Sequence, residues 1–277
     1  MIVWIASYPK SGNTWVRALI SSYLYSDKGI FNFELLKNIK EFPRQYFESH
    51  TDLEKFQSIS KESKEWLKGQ KLMDDNKDVT FLKTHSCICT VDGNGFTSRE
   101  NTIGVIYVVR DPRNVISSLS NHFNISIEES LKWMINDRNV LSASRLKKKW
   151  GFTFISDWKT HYISWKKMKN FIPIKVVRYE DLQNLTRKTF IEILQFINKF
   201  KKIEINESKI TNAINSTNFK ELKLTEEKFG FNEARDWGVK NFFYLGKDND
   251  WRKLVEGGII KKLNKNFFKE MKELGYD

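Results

Sequence analysis

Cysteine is scarce in this chain, with two in 277 residues, Cys87 and Cys89. That excludes a disulfide framework, since neighbours this close do not staple a fold, and a reducing compartment is expected. Proline is also sparse, at four, and proline, glycine and serine do not gather into a linker. With no repeat and no low-complexity stretch, one domain over residues 1–277 is expected. No window approaches eighteen uncharged apolar residues, so no membrane span is expected. The apolar run Ile2 to Ala6 is broken by Pro9 and Lys10, too soon for the core of a signal peptide. The expected location is the cytoplasm. No block of five consecutive basic residues occurs; the densest stretch, Arg145-Leu146-Lys147-Lys148-Lys149, reads as a helix end or loop.

What the chain does have is 40% hydrophobic and 29% charged residues, enough for a packed core and against wholesale disorder. Its formal net charge is +13. Such a surplus can mark a nucleic-acid or anionic-surface binder. In a Lys-, Asn- and Ile-rich chain it also describes a lysine-solvated surface with one local anionic ligand, and no nucleic-acid partner is expected.

Four short runs rich in β-branched residues read as buried parallel strands: Ile2 to Ala6, Val79 to Leu82, Ile103 to Val109 and Ile174 to Val177. Helical spacing lies between them. Val16, Leu19, Ile20 and Tyr23 follow it, as do Phe190, Ile193, Leu194 and Ile197, with Thr186 as the expected cap. Asn114 to His122, Ser126 to Ile135 and Ile155 to Lys169 also read as helix. The basic tail Gly258 to Leu274 reads as a helix packed by Ile259, Leu263, Phe267 and Met271. Alternating strands and helices predict an α/β domain around a central parallel sheet flanked by helices. Two polar insertions, Lys28 to Asp78 and Asn215 to Asp250, carry Phe42, Tyr46, Phe47, Trp237, Phe242 and Phe243 and are candidate walls or lids for a second substrate.

The first strand runs straight into Ser7-Tyr8-Pro9-Lys10-Ser11-Gly12-Asn13-Thr14 and then a helix. A helix start has unpaired N–H groups and partial positive charge; Gly12 permits close approach, and Lys10, Ser11 and Thr14 add charge and donors. The lysine precedes the glycine and the first glycine of a Walker A loop is missing, so a magnesium-bound triphosphate is not expected. The third strand ends at Arg110, with Asp111 as cap and Pro112 at the first helical position. Arg110 and Ser118, two turns on, could hold one phosphate together. Two such sites on one sheet suggest a nucleotide with two separated phosphate groups.

Of four histidines, His50, His122 and His161 read as packing or surface residues. His85 ends the strand Phe81-Leu82-Lys83-Thr84-His85 at the same sheet edge as the phosphate loop, where imidazole is a natural general base for a hydroxyl. His85-x-Cys87-x-Cys89 would alternate onto one strand face, but three ligands without a fourth make a poor zinc site, and no metal is expected.

Together these segments resemble the sulfotransferase family that uses 3′-phosphoadenosine 5′-phosphosulfate (PAPS). Tyr8 to Trp15 is similar to its 5′-phosphosulfate loop, Val109 to Arg113 with Ser118 to its 3′-phosphate motif, Lys83-Thr84-His85 to its catalytic strand, and Arg178 to Leu182 to its Tyr-Glu-Asp segment. The resemblance implies a P-loop nucleotide-hydrolase-like fold, PAPS as cosubstrate, adenosine 3′,5′-bisphosphate (PAP) as product, and a hydroxyl acceptor: a phenol, alcohol, lipid or glycan. It implies that Lys10 stabilises the leaving phosphate and that His85 takes the acceptor's proton, with Lys83 nearby. Lys10, Ser11, Gly12, Asn13, Thr14 and Trp15 would bind the 5′ end, and Arg110 and Ser118 the 3′-phosphate. Trp15, Tyr179 and Phe219 would surround the adenine. The family's Arg-Lys-Gly segment is Tyr244-Leu245-Gly246 here, and Lys247 or Arg252 would substitute. Ser86-Cys87 replaces a common Leu-Pro, and no animal-type dimer motif follows Trp251, which leaves the oligomeric state open. Two other classes stay in view, a P-loop kinase of a nucleoside or small alcohol and a non-catalytic polyanion-binding module.

Overall fold

Residues Ile2–Ser7 form a strand, β1, whose every side chain is buried. The alternation of a strand sends Ile2, Trp4 and Ala6 into one apolar cluster and Val3 and Ile5 into another. Both faces are therefore covered, as a central parallel strand requires. The computed structural model describes residues 1–49, 58–74, 78–145, 148–231, 233–234 and 241–276; for 143–145 and 148–150 it describes the backbone.

After β1 come α1 (Asn13–Tyr25), β2 (Lys40–Glu41), α2 (Arg44–Glu48), α3 (Ile59–Ser63), α4 (Trp66–Met73) and β3 (Thr80–Thr84). A small antiparallel pair, β4 (Thr90–Val91) and β5 (Asn94–Gly95), precedes β6 (Thr102–Val109), α5 (Pro112–Phe123) and α6 (Ile127–Met134). The antiparallel hairpin β7 (Val140–Arg145) and β8 (Lys148–Phe154) is followed by α7 (Trp158–Lys167) and β9 (Ile174–Arg178). Then come α8 (Tyr179–Asn184), α9 (Thr186–Ile197), α10 (Glu207–Ser216), α11 (Phe219–Phe229), α12 (Trp251–Leu254) and α13 (Gly257–Glu273).

The main sheet has the order β2-β3-β1-β6-β9, all parallel. All four strands read from the sequence are in it, with β2 added at one edge from inside the first insertion. From β1 the chain moves to one side for β2 and β3, then to the other for β6 and β9, so β1 marks the switch point where open α/β sheets bind ligands. Register aligns the strand ends there. Ala6 pairs with Thr84, Ser7 with Val108, Val109 with Arg178, and Glu41 with Lys83. The residues that follow, Tyr8, His85, Arg110 and Tyr179, consequently share one edge.

Helices seal both faces. Phe190, Ile193, Leu194 and Ile197 of α9 pack with Val16, Leu19 and Ile20 of α1. On the opposite face lie Trp158 and Trp165 of α7 and Ile259, Leu263, Phe267 and Met271 of α13. Each such side chain, fully buried, contributes roughly 1.5–3 kcal/mol of transfer free energy. Helix α5 starts as read, with the Asp111 carboxylate accepting from Arg113 N–H at 2.9 Å and Pro112 in the first turn.

Several local readings differ. Helix α9 begins at Thr186 itself, after Leu185, and has no side-chain cap. Residues 145 and 148–149 belong to the β7–β8 hairpin and not to a helix end, because β7 and β8 pair across this stretch. The strand β3 stops at Thr84, so His85 to Cys89 do not alternate on one face; Cys87 N–H instead donates to the Phe154 carbonyl at 2.8 Å. Phe42, Tyr46 and Phe47 are core residues, packed with Trp4, Trp66 and Phe96. His50 and Trp237 lie outside the described residues. No helix of the described residues is long and apolar enough to cross a membrane.

Candidate active site

The loop after β1 is tight. Lys10 adopts φ 65° and Gly12 φ 102°, both left-handed. Glycine is required at position 12 twice over, because a Cβ there would lie 2.6 Å from the Tyr179 ring. The start of α1 is tied back to β1 by Asn13, whose amide donates to the Ile5 carbonyl at 3.0 Å and to Ser7 Oγ at 3.2 Å. Among the described residues, buried polar atoms around the loop that have no partner are Tyr8 Oη, Ser11 Oγ, Asn13 Oδ1, Trp15 Nε1 and Arg110 Nε, four of them donors. Buried donors left unmet are costly, so their gathering at a helix N-terminus fits a polar, anionic ligand.

Lys10 Nζ sits 3.5 Å from the centroid of Phe242. Burial pulls its pKa down to about 7, Arg110 and Lys83 push the same way, and Glu233 and Glu226 oppose them. An anion in the loop would restore its charge. Arg110 lies over the Tyr179 ring at 4.1 Å and donates to Ser118 Oγ at 3.3 Å and to the Lys10 carbonyl at 3.4 Å. The pair read from the sequence as one phosphate site is thus in contact, and it touches the first loop.

His85 Nδ1 is 2.8 Å from the carbonyl oxygen of Ser7. A carbonyl can only accept, so Nδ1 carries the hydrogen and Nε2 is left with its lone pair. Burial lowers the pKa of His85 to about 4, and Lys83 adds to this against Glu41, the Ser7 carbonyl and Glu233. The imidazole is neutral near pH 7 and able to accept a proton. Behind it, His161 is fully buried, with Nε2 3.0 Å from the His85 carbonyl and Nδ1 2.8 Å from Tyr107 Oη. The packing role read for His161 therefore includes holding the backbone of His85.

Lys83 is buried, 3.6 Å from Glu41 Oε2 and 3.3 Å from Glu233 Oε1. Glu233 also receives Arg17 Nη1 at 2.5 Å and Thr14 Oγ1 at 2.9 Å. Burial opposes its charge, but Lys83, Arg17 and Thr14 outweigh that and hold its carboxyl well below the usual range. Glu41, Arg17, Glu233 and Asn249 are site residues that sequence reasoning missed. Asn249 donates to Ser118 Oγ at 2.9 Å and accepts from Ser117 Oγ at 2.6 Å. Its position just before Asp250-Trp251 was the available signal; Glu41 had none, since only strand register puts it beside Lys83.

One cavity of about 690 Å³ joins these groups. Its lining includes Lys10, Gly12, Asn13, Thr14, Trp15, Lys83, His85, Arg110, Ser118, Tyr179, Phe219 and Lys247. Ser11 is buried beside it, and Trp15 meets Tyr179 edge-on at 5.7 Å. Gly246 passes so near Phe219 that a Cβ would come within 2.7 Å of the ring. Arg252 is not in the lining; it is exposed, pairing with Asp250 at 3.3 Å and lying over Trp251. Of the two basic substitutes expected after Gly246, only Lys247 reaches the cavity. From the second insertion, Phe242 and Phe243 line it as walls, their N–H groups held by the Glu226 carboxylate at 2.6 and 2.9 Å.

A parallel sheet with an anion loop at its switch point, and a neutral histidine and an arginine on the same edge, defines a nucleotide-dependent group-transfer enzyme of α/β class. Residues 2–275 match the sulfotransferase domain, and the chain belongs to the sulfotransferase family. Among curated proteins it is 26% identical to flavonol 3-sulfotransferase of Flaveria bidentis, covering 95% of this chain and 79% of the relative. It is 19% identical to sulfotransferase 1A1 of Rattus norvegicus, covering 98% and 85%. Among solved structures, mouse sulfotransferase SULT7A1 complexed with PAP superposes with a TM-score of 0.63 at 18% identity, over 98% of this chain and 84% of the other. Retinol dehydratase in complex with androsterone and PAP gives 0.65 at 15%, over 98% and 80%.

Proposed function

We propose that this sulfotransferase moves a sulfuryl group from PAPS to a hydroxyl acceptor in line, with His85 as the general base. PAPS, when bound, supplies the activated sulfuryl group, and charge develops on the phosphate that it leaves. Lys10, Ser11 and the N–H groups at the start of α1 would neutralise that charge. Such transfer is mostly positioning and electrostatics, which a lysine and fixed N–H dipoles deliver. Arg110 and Ser118 would hold the 3′-phosphate, and Trp15, Tyr179 and Phe219 the adenine. Lys83, beside His85, would bear on the transferring group.

What carries this reading is the imidazole. Its Nδ1–H is committed to the Ser7 carbonyl, and it lines the same cavity as the Lys10 loop and Arg110. Nε2 is thereby a fixed acceptor for the proton of an attacking hydroxyl. The residues also fit the nucleotide, since Ser11 Oγ, Trp15 Nε1 and Arg110 Nε have no protein partner and Gly12 and Gly246 let the backbone close on the Tyr179 and Phe219 rings proposed to hold the adenine. Incubation with PAPS and a panel of alcohols, phenols and glycans tests the proposal. PAP release with an acceptor is the expected result; no release with any acceptor, together with no binding of PAP by calorimetry, refutes it.

A further inference from the structure

Among its described residues, the first insertion brings charge, not aromatic rings, to the cavity. Phe42 and Phe47 are fully buried in the core and Tyr46 nearly so. The described members of that segment lining the cavity are Glu41 and Arg44. Parallel pairing of β2 with β3 sets Glu41 opposite Lys83, two residues before His85. Arg44 grips Glu41 Oε2 through Nε at 3.1 Å and Nη2 at 2.7 Å. The Glu41 side chain is 14% exposed and that of Arg44 40%, so the carboxylate lies deeper and the guanidinium nearer the mouth. Burial alone would raise the pKa of Glu41, but Lys83 and Arg44 outweigh it and hold it at about 2, so the carboxylate stays charged.

The adjoining hairpin brings Leu141 to the cavity, and polar groups with it. Ser142 of β7 and Thr153 of β8 line the cavity beside Gly151. Gly151 has φ +60°, and a Cβ there would lie 2.8 Å from Arg44 Cα, so β8 and α2 are pressed together. The buried Glu62 carboxylate fixes this part of β8 by accepting from Gly151 N–H at 2.6 Å and Phe152 N–H at 2.7 Å. The charged wall is therefore held in place before any acceptor arrives.

A flat apolar acceptor against this wall would strip water from a carboxylate and a guanidinium without replacing it, a costly exchange. A ring bearing several hydroxyls replaces that water group for group: hydroxyls donate to the carboxylate and accept from the guanidinium and from Ser142 and Thr153. We infer that the acceptor is a saccharide, presented to His85 by hydrogen bonds from its neighbouring hydroxyls to Glu41 and Arg44. This rests on the sulfotransfer reading and narrows its acceptor class. In the step, the sugar O–H proton passes to His85 Nε2, the sugar oxygen bonds to sulfur, and the bond from sulfur to the phosphate oxygen breaks with its electron pair going to PAP.

The test compares acceptors on the intact protein. PAP release is measured with methyl β-D-glucopyranoside, methyl β-D-galactopyranoside and trehalose, and with 4-nitrophenol, quercetin and androsterone. At least one glycoside is expected to exceed every apolar acceptor about tenfold or more in kcat/KM. Glu41→Gln is expected to raise the glycoside KM about 10- to 100-fold, the scale of a hydrogen bond to a charged group, with less change in kcat. PAP affinity by calorimetry should match the parent's, which also shows that the variant is folded; the milder Arg44→Lys should raise KM in the same direction. A phenol, flavonol or steroid turned over as well as the glycosides overturns the inference. So does a Glu41→Gln variant that binds PAP with an unchanged glycoside KM. PAP binding without glycoside turnover overturns it while leaving the nucleotide assignment standing; absence of PAP binding in the parent overturns both.

Discussion

Replacing His85 with glutamine keeps the approximate size of the side chain and removes the base. Positioned proton transfer contributes about 10²–10⁴-fold, so His85→Gln should lower kcat by that factor. The nucleotide contacts proposed above lie on α1, Arg110 and Ser118, so PAP affinity should stay at the parent value. The pH profile gives a second readout. Burial, helped by Lys83, sets the imidazole pKa at about 4. Above that value Nε2 is free to accept; below it Nε2 carries a proton and cannot. The acid limb of kcat/KM should therefore fall near pH 4, about 2.5 units below the limb of an ordinary histidine. Lys83→Met removes the charge that adds to burial in lowering this pKa and should move that limb upward even as it lowers turnover. The assay is PAP release from pH 3.5 to 8 with a stable acceptor. A His85→Gln variant with parental kcat, or a parental limb at the pH of free imidazole, would refute the reasoning.

Arg110→Ala should weaken PAP by about 1.5–3 kcal/mol, the value of a charge-assisted hydrogen bond, and leave adenosine 5′-monophosphate binding unaltered. Equal losses for both ligands in titration calorimetry would remove Arg110 from the 3′-phosphate. Gly12→Ala combines φ 102° with a 2.6 Å approach to Tyr179 and should abolish measurable PAP binding while costing about 1–3 kcal/mol of stability. A denaturant titration and a PAP isotherm both like the parent's would contradict that close packing. His161, fully buried, has its pKa lowered to about 3, chiefly by burial. Because the folded value lies below the unfolded one, its stabilising contribution is complete above about pH 6.5 and is lost on acidification toward pH 3, at up to about 1.4 kcal/mol per pH unit. Urea midpoints between pH 4 and 7 should show this slope, and His161→Gln should flatten it; an identical slope in the variant would assign it elsewhere.

The class of fold was legible because buried parallel strands announce themselves. Val105 to Val109 is apolar at every position, and both faces of the strand are covered. Much of the proposed nucleotide side could be read for a related reason. A phosphate site is local: Lys10, Gly12 and Thr14 lie on one loop and helix start, and Arg110, Asp111 and Ser118 on another, so spacing along the chain reports geometry. Arg252 shows where local reasoning stops, since nearness to Gly246 in sequence did not bring it to the cavity.

The sequence by itself determined four of the five sheet strands, the main helices on its faces and the two strand ends proposed to bind anions, because short-range pattern decides them. Only the tertiary structure decided what faces the acceptor. Glu41 lies 42 residues from Lys83 and meets it through strand register. Glu233 reaches Thr14 and Arg17 across 219 and 216 residues. The first insertion, read as a polar candidate wall or lid with scattered aromatics, turned Phe42, Tyr46 and Phe47 inward because burying them beside Trp4 gains more than lining a wet cavity. The charged neighbours left over, Glu41 and Arg44, became the wall. Nothing in the spacing of that segment distinguishes the two outcomes; the choice belongs to the competition for space in the core.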